Sequence, residues 1–165
     1  MHPPAKLSDL IDVLVMDSPE HVTRFDRQTG QIVGVEQSIL SAVEEGREDS
    51  LTDLPDWQKK ELEIARALCA DAGERFIEPP DRLEFHEYRQ MERFIGTLQD
   101  EDVSGELWRA IKGKGAFRYF KDTLHRLGIQ EEWYRYRDAA MKKFAIEWAE
   151  ANNVPYEDDT AGRRF

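Results

Sequence analysis

The sequence predicts an α+β fold, in which one mostly helical domain contains a small antiparallel β-hairpin and ends in a block of helices. Apolar residues recur three or four positions apart over most of the chain, which is the spacing of amphipathic helices. One segment, residues 21–36, alternates instead and contains a glycine turn. With 165 residues, 40% of them hydrophobic, the chain can bury one substantial core.

The first half is predicted to alternate between helices and strands. Ser8 is a favourable N-cap for a helix whose apolar face contains Leu10, Ile11, Leu14 and Val15. The segment HVTRFDRQTGQIVGVE is typical of a hairpin with its turn at QTG. A short helix over residues 38–46 and a longer one in DWQKKELEIARALCADA follow. The two prolines of RFIEPP limit that segment to a short strand or a sheet edge.

The second half is predicted to be helical. The segment EFHEYRQMERFIGTLQ has one apolar stripe, formed by Phe85, Tyr88, Met91, Ile95 and Leu98. The next helix, in SGELWRAIK, is expected to bury Leu107, Trp108 and Ile111. The helix after Gly115 is expected to bury Phe117, Phe120, Leu124 and Leu127. Gly128 has the position of a C-cap. A last helix, from Gln130 to about Asn152, is expected to bury Trp133, Tyr136, Ala140, Phe144 and Trp148.

These patterns predict how the chain is organised. Residues 1–156 are expected to form a single domain, and residues 157–165, EDDTAGRRF, to be a flexible tail. Cys69 lies inside a predicted helix and is interpreted as a small buried hydrophobic residue. One core is expected between the last two helices, formed by Phe117, Phe120, Leu124, Trp133, Phe144 and Trp148.

Composition restricts the class of protein. Charged residues make up 35% of the chain and its net charge is −11, and no apolar run approaches the roughly 20 residues that span a bilayer. The N-terminal segment lacks the basic region of a signal peptide. The single cysteine excludes an internal disulfide and fits a reducing compartment. We therefore expect a cytoplasmic protein with no membrane partner.

No motif predicts a metal or a cofactor. The segment HEYRQ begins like a zincin helix, but Gln90 occupies the position of the second histidine. The phosphate-binding P-loop requires Ser or Thr after its lysine, and the Rossmann fingerprint requires a strand before its glycines; neither condition is met near Gly113 and Gly115. His86 and His125 could act as base and acid, although two surface histidines are the simpler interpretation.

The feature that most indicates a ligand is a basic segment in this acidic chain. Residues 109–126 contain six Lys or Arg and one acid, Asp122. A helix beginning near Gly115 would present free backbone amides and the positive end of its dipole. The candidate anion-binding residues are Lys112, Gly113, Lys114, Gly115, Arg118 and Lys121.

Three other interpretations remain open, two for this segment and one for the last helix. The two glycines also suit a simple helical hairpin, and its basic residues could then pair with residues 44–56, which contain six carboxylates and only one base, Arg47. This internal pairing is the favoured alternative. A helix-turn-helix is possible, but the acidity of the whole chain disfavours nucleic acid. Tyr134 and Arg137 on the last helix could stack on bases, although core packing explains their aromatic neighbours.

Four segments together resemble uncharacterised protein family 0158, a bacterial family. They are DLPDWQKKELEIAR, FIEPPDRLEFHEYRQMERFI, GKGAFRYFKDTLHRLG and EEWYRYRDAAMKKFAIEWAEANNVPY, and the resemblance covers roughly residues 7–156. It implies no activity, cofactor or catalytic residue. The function expected from the residues is non-enzymatic binding or regulation, in which the 109–126 face contacts a protein or an anionic ligand. The alternative is an enzyme that acts on a phosphorylated or otherwise anionic small molecule.

Overall fold

The computed structural model describes residues 2–16 and 18–165 and confirms the predicted α+β class. The strands are β1 Ala5–Lys6, β2 His21–Asp26, β3 Gln31–Glu36, β4 Phe76–Ile77 and β5 Tyr156–Glu157. The first four helices are α1 Leu7–Val15, α2 Gln37–Glu44, α3 Asp56–Ala70 and α4 Arg82–Phe85. The remaining helices are α5 Glu87–Thr97, α6 Glu101–Ala110, α7 Ala116–Leu127 and α8 Gln130–Ala151. A 3-10 turn covers Glu48–Ser50.

The predicted hairpin is the centre of a three-stranded antiparallel sheet with strand order β3-β2-β4. Its register pairs His21 with Glu36 and Asp26 with Gln31. Strand β4 adds only two residues to the other side of β2, as the following Pro79 and Pro80 predict. Strands β1 and β5 form a separate parallel pair, which joins the start of the described chain to the segment after α8.

The sheet packs helices on both faces because its side chains alternate. Phe25 and Ile32 belong to a cluster with α1 and α8, which contains Leu10, Ile11, Met141 and Ala145. Val22 and Val35 face the opposite way and pack with α2 and α3, where Ile39, Leu40 and Ala65 are buried. We call these the α1–α8 cluster and the α2–α3 cluster.

A third cluster holds the helical block together and corrects the expected single core. It is centred on Trp133, whose ring lies 5.0 Å from that of Phe120 and 5.4 Å from that of Phe94. Leu124, Leu107 and Ile111 also belong to it. Of the other aromatic residues of the expected core, Phe117 is exposed, whereas Phe144 and Trp148 pack in the α1–α8 cluster and are only partly buried. Helix α8 spans 22 residues, so its two halves reach different cores.

The predicted stripe from Phe85 to Leu98 is interrupted at His86. His86 has a left-handed backbone with φ of 55°, which ends α4 and begins α5. Its Nδ1 accepts a hydrogen bond of 3.2 Å from the Arg89 amide. The break sends Phe85 into the α1–α8 cluster, whereas Met91 and Ile95 enter the Trp133 cluster.

Three further residues differ from expectation in exposure or role. Cys69 is exposed near the C-terminal end of α3, whereas Ala65, one turn earlier, is buried. Val15 is 38% exposed at the end of α1. Ser8 lies within the first turn of α1 rather than capping it, because the helix already begins at Leu7.

The segment predicted to be a flexible tail makes specific contacts in the structure. Asp159 accepts hydrogen bonds from the backbone amide and hydroxyl of Ser8. The Nζ of Lys142 lies 2.5 Å from the carboxylate of Asp158, and this hydrogen bond, together with those from Thr160, lowers the pKa of Asp158 to about 2. Arg163 pairs with Asp12 on α1 at 2.8 Å. The segment thus lies across α1 and α8.

Candidate functional site

The candidate site is built on the turn between α6 and α7. Helix α6 ends at Ala110, and the chain reverses through Gly113 and Gly115, whose φ values of 87° and 75° are left-handed. Gly115 is the N-cap of α7, and its carbonyl accepts the Tyr119 amide at 3.0 Å. No side chain in the described residues caps this helix start. The turn therefore leaves the positive end of the α7 dipole open.

Five basic residues surround this helix start, and all are exposed: Arg109, Lys112, Lys114, Arg118 and Lys121. Arg118 has one weak partner, Asp122, at 4.0 Å on the same helix, and both side chains are more than two-thirds exposed. The other four form no ion pair within residues 2–16 and 18–165. Arg126, at the far end of α7, is different because it pairs with Glu106 on α6 at 2.5 Å.

The favoured alternative, internal pairing with the acidic linker, is wrong in this structure. The linker carboxylates pair with bases near them: Glu45 with Arg47 at 2.5 Å, Glu48 with Arg66 at 2.8 Å, and Asp56 with Lys59 at 3.5 Å. None of the described ion pairs joins residues 44–56 to residues 109–126. Arg109, Lys112, Lys114 and Lys121, which form no ion pair in the described residues, are therefore available to an external partner.

Aromatic side chains lie on the same two helices and are also exposed. Trp108 is 38% exposed, Phe117 46% and Tyr119 56%. Both Trp108 and Phe117 were expected in the core. Ala116 takes the inward position at the start of α7, and Phe120, Thr123 and Leu124 continue the buried stripe. An apolar stripe on α7 that begins at Ala116 instead of Phe117 predicts that Phe117 lies on the surface.

We use the name α6–α7 face for the exposed residues Trp108, Arg109, Lys112, Lys114, Phe117, Arg118, Tyr119 and Lys121. Phe117 and Lys121 are one helical turn apart, so they are neighbours on α7. The Tyr119 ring lies against the turn, since a Cβ at Gly115 would be 3.2 Å from its Cε2. Five surface clefts in the described part of the chain are all lined by other residues. The α6–α7 face thus combines exposed basic and aromatic side chains, which is typical of a contact surface.

The histidines do not form a catalytic pair with each other. His86 caps α5, and His125, near the end of α7, has its Nδ1 3.2 Å from Gln130 Oε1. A third histidine, His21, has its Nε2 3.9 Å from Glu61 Oε1, beside a cleft of about 480 Å³. That distance exceeds a hydrogen bond, so the pair supplies no oriented base.

Metal ligands are not grouped in the described residues either, where no three His, Cys, Asp or Glu side chains are placed to hold an ion. In the same residues, no helix has the length and apolar character needed to cross a membrane. Two buried carboxylate oxygens, Glu61 Oε2 and Asp138 Oδ1, have no hydrogen-bond partner among the described residues. Burial raises the pKa of Asp138, although the Phe165 amide and two nearby arginines lower it in part.

Comparison with known proteins assigns the chain to a family. The profile of the Uncharacterised protein family (UPF0158) matches residues 50–160. The chain belongs to this family. A curated relative, UPF0158 protein PA5073 of Pseudomonas aeruginosa, is 25% identical over 65 residues, which cover 39% of this chain. The match spans 42% of the length of that relative. No solved structure matches.

The part of the chain that matches UPF0158 includes the candidate site. Residues 50–160 contain α3 to α8, and so the whole of the α6–α7 face and the Trp133 cluster beneath it. The hairpin of β2 and β3 lies before residue 50, outside the matched range.

Proposed function

We propose that this UPF0158 protein is a binding protein, and that its α6–α7 face contacts an acidic region of another protein. The observation that carries the proposal is the exposure of Lys112, Lys114 and Lys121 without an ion pair in the described chain. These charges are surrounded by a strongly acidic molecule, so they are the natural place for an acidic partner to approach. The single cysteine suits a reducing compartment, and we propose the bacterial cytoplasm.

The exposed aromatic residues favour a protein over a small anion. Trp, Tyr, Phe and Arg are enriched in protein interfaces, and Trp, Tyr and Arg are enriched among the residues that dominate binding energy. Trp108, Phe117 and Arg118 would provide such contacts, and the surrounding lysines would accelerate encounter with an acidic surface. A phosphate would use the basic residues and the α7 amides but would gain nothing from three exposed rings.

A defined probe tests the proposal. A fluorescein-labelled peptide of alternating glutamate and leucine carries the charge and the apolar side chains of the expected partner. Its anisotropy should rise on addition of the protein, and the affinity should fall between about 0.05 and 0.3 M salt because exposed charges are screened. The double variant Arg118→Gln/Lys121→Gln should weaken binding about tenfold, which corresponds to roughly 1.4 kcal/mol.

The matched control removes the same charge elsewhere. Lys59 and Lys60 are both exposed on α3, so Lys59→Gln/Lys60→Gln changes the net charge equally without touching the α6–α7 face. Equal weakening by both double variants would show that binding follows net charge alone and would reject the proposal. Inorganic phosphate shifting the NMR signals of residues 116–118 without peptide binding would indicate a small-anion site instead. Tighter binding of a single-stranded oligonucleotide than of the peptide would also overturn it.

A further inference from the structure

A second surface, separate from the α6–α7 face, is the outer edge of the three-stranded sheet. Strand β3 pairs with β2 on one side and with no other strand in the described residues. The backbone directions identify which of its groups point outward. Arg27 donates its amide to Arg75 on the β4 side, whereas Gln37 donates to Glu20 on the β2 side. Because these directions alternate along a strand, Ile32, Gly34 and Glu36 point their amides and carbonyls away from β2.

Most of these outward groups have no partner in the described chain. Within residues 2–16 and 18–165, the outward amides of Ile32, Gly34 and Glu36 and the carbonyls of Ile32 and Gly34 form no hydrogen bond, whereas the Glu36 carbonyl is at the N-cap of α2 and accepts the first amide of that helix. In the described residues, β3 is therefore paired along one side only. The outer side is a row of donors and acceptors at the spacing that an additional strand requires.

The opposite edge of the same sheet, formed by β4, is protected against the addition of another strand, whereas the β3 edge is not. Strand β4 has only two paired residues and is followed by Pro79 and Pro80, which cannot donate to a ladder. Strand β3 is three times as long, and its sequence QIVGVE contains no Lys, Arg or Pro. Its register with β2 is continuous, so no bulge disturbs it. Strand β3 therefore lacks the short length, the proline, the lysine and the bulge that commonly prevent strand addition.

A cleft beside β3 offers space for the side chains of an added strand. It has a volume of about 480 Å³ and includes Thr23, Ile32 and Gly34 from the sheet and Val13 and Met16 from the α1 side. Met16 is 62% exposed. Nothing lies within 4 Å of the position that a Cβ on Gly34 would occupy. An apolar side chain from an added strand could therefore lie over Gly34.

The charges at both ends of this edge indicate what kind of strand would bind. Asp9 lies beside Gln31 and Ile32 in an adjoining cleft, where Asp12 is already paired with Arg163, and Glu36 ends the strand. Glu20 is next to that end, where its carbonyl accepts the Gln37 amide. Pairing of β3 with a second copy of itself in antiparallel register would bring these acidic ends together, which is unfavourable.

We propose that β3 accepts an extended segment of another protein, with alternating apolar residues and a basic residue at each end. The main chain of the added segment would pair with Ile32, Gly34 and Glu36, and this pairing would supply the affinity. Its alternate side chains would enter the cleft over Gly34, and its basic ends would face the acidic groups. Because this surface is separate from the α6–α7 face, an experiment that rejects one of the two proposals does not affect the other.

The test uses hydrogen exchange measured by NMR and a peptide of sequence Lys-Val-Thr-Val-Thr-Val-Lys with blocked ends. Without peptide, the amides of Ile32, Gly34 and Glu36 should exchange fast compared with those of Val33 and Val35, at every protein concentration. Saturating peptide should slow the three outward amides about tenfold or more. A peptide of the same sequence, N-methylated at every residue, keeps the side chains but has no backbone donor on either edge and should have no effect.

Two variants at one position give a matched pair. Gly34 does not have a left-handed backbone, and its amide points away from β2, so Gly34→Pro removes an outward donor without removing a ladder bond. Gly34→Ala keeps the donor. Peptide protection should be lost in Gly34→Pro and retained in Gly34→Ala. Equal protection by the N-methylated peptide, no protection by either peptide, or protection that rises with protein concentration alone would overturn the proposal.

Discussion

Arg75 donates two hydrogen bonds to the buried carboxylate of Asp26, from Nε to Oδ1 at 3.0 Å and from Nη2 to Oδ2 at 2.9 Å. Asp26 is 2% exposed at the end of β2, and Arg75 immediately precedes β4. Burial alone would raise the pKa of Asp26, but the hydrogen bonds from Arg75, the Gln28 amide and Thr29, with the positive charge of Arg75, together lower it. The pair therefore attaches the short strand β4 to the hairpin.

The first prediction is that Arg75→Met destabilises the protein by about 2 to 3 kcal/mol. The change leaves a buried carboxylate without its charge partner; the loss should fall below the roughly 3 to 5 kcal/mol of fully buried pairs because Arg75 is 39% exposed. Urea unfolding measures it. Arg24→Met is the control, since its partner Glu78 is 78% exposed. Equal losses in the two variants would contradict the assigned role.

The same pair predicts a pH dependence. Because the pKa of Asp26 is lower in the folded than in the unfolded protein, its contribution is fully present above the ordinary value of 3.8. It is lost as the pH falls through the lowered folded pKa. The difference in unfolding free energy between the parent and Arg75→Met should therefore be largest near neutral pH and should shrink below about pH 4.

The second prediction separates two phenylalanines on α7. Phe120 is 1% exposed and packs edge-on against Trp133, whereas Phe117 is 46% exposed. Phe120→Ala should lower the unfolding free energy by about 3 to 5 kcal/mol, and Phe117→Ala by less than about 1 kcal/mol. Urea melts of both variants decide this. A comparable loss at Phe117 would show that this ring is buried in solution and would remove it from the α6–α7 face.

Local pattern was sufficient to predict most elements of this fold. The alternation and the QTG turn predicted the hairpin, the prolines predicted the short edge strand β4, and Gly128 predicted the end of α7. Each of these depends on residues close together in the chain. The distribution of the core was not predictable in the same way, because Phe144 and Trp133 lie on one helix yet pack against different elements.

The candidate site shows the same limit. Its basic residues and glycine turn were evident in the sequence, since they are consecutive. It was not evident that these residues do not pair with the acidic linker, residues 44–56. That outcome depends on contacts such as the ion pair between Glu48 and Arg66 on α3, which are 18 residues apart in the chain. Phe117 is exposed because Ala116 takes the inward position at the start of α7. The pattern of large apolar residues on this helix does not include Ala116.

The third prediction concerns Cys69. The thiol is exposed, so it should react with Ellman's reagent in the folded protein, without denaturant. Partial burial, followed by the nearby carboxylates Glu44 and Glu48, raises its pKa, so the reaction at pH 7.5 should be slower than that of free cysteine. Glu44→Gln should speed it about 1.5- to 3-fold by lowering the pKa. Glu63→Gln, which removes an equal charge elsewhere on α3, should leave the rate unchanged; an equal acceleration would contradict the local effect.

The last prediction concerns the segment expected to be a flexible tail. Asp159 accepts the Ser8 amide at 2.9 Å within the first turn of α1, and so acts as a cap supplied from the other end of the described chain. Asp159→Ala should lower the unfolding free energy by about 0.5 to 1 kcal/mol, toward the low end for caps because the residue is exposed. Glu157→Ala is the control for the loss of one exposed carboxylate nearby.

The pH dependence distinguishes this cap from general charge effects. Burial alone would raise the pKa of Asp159, but its hydrogen bonds from Ser8 outweigh that effect and lower it below 3.8. Its contribution is therefore present above that value and lost as the pH falls through the folded pKa. Thermal melts should show a deficit of Asp159→Ala relative to the parent at pH 6 to 7 that narrows below about pH 4. A freely flexible segment would produce no deficit at any pH, and that result would return residues 157–165 to the flexible state that their composition predicts.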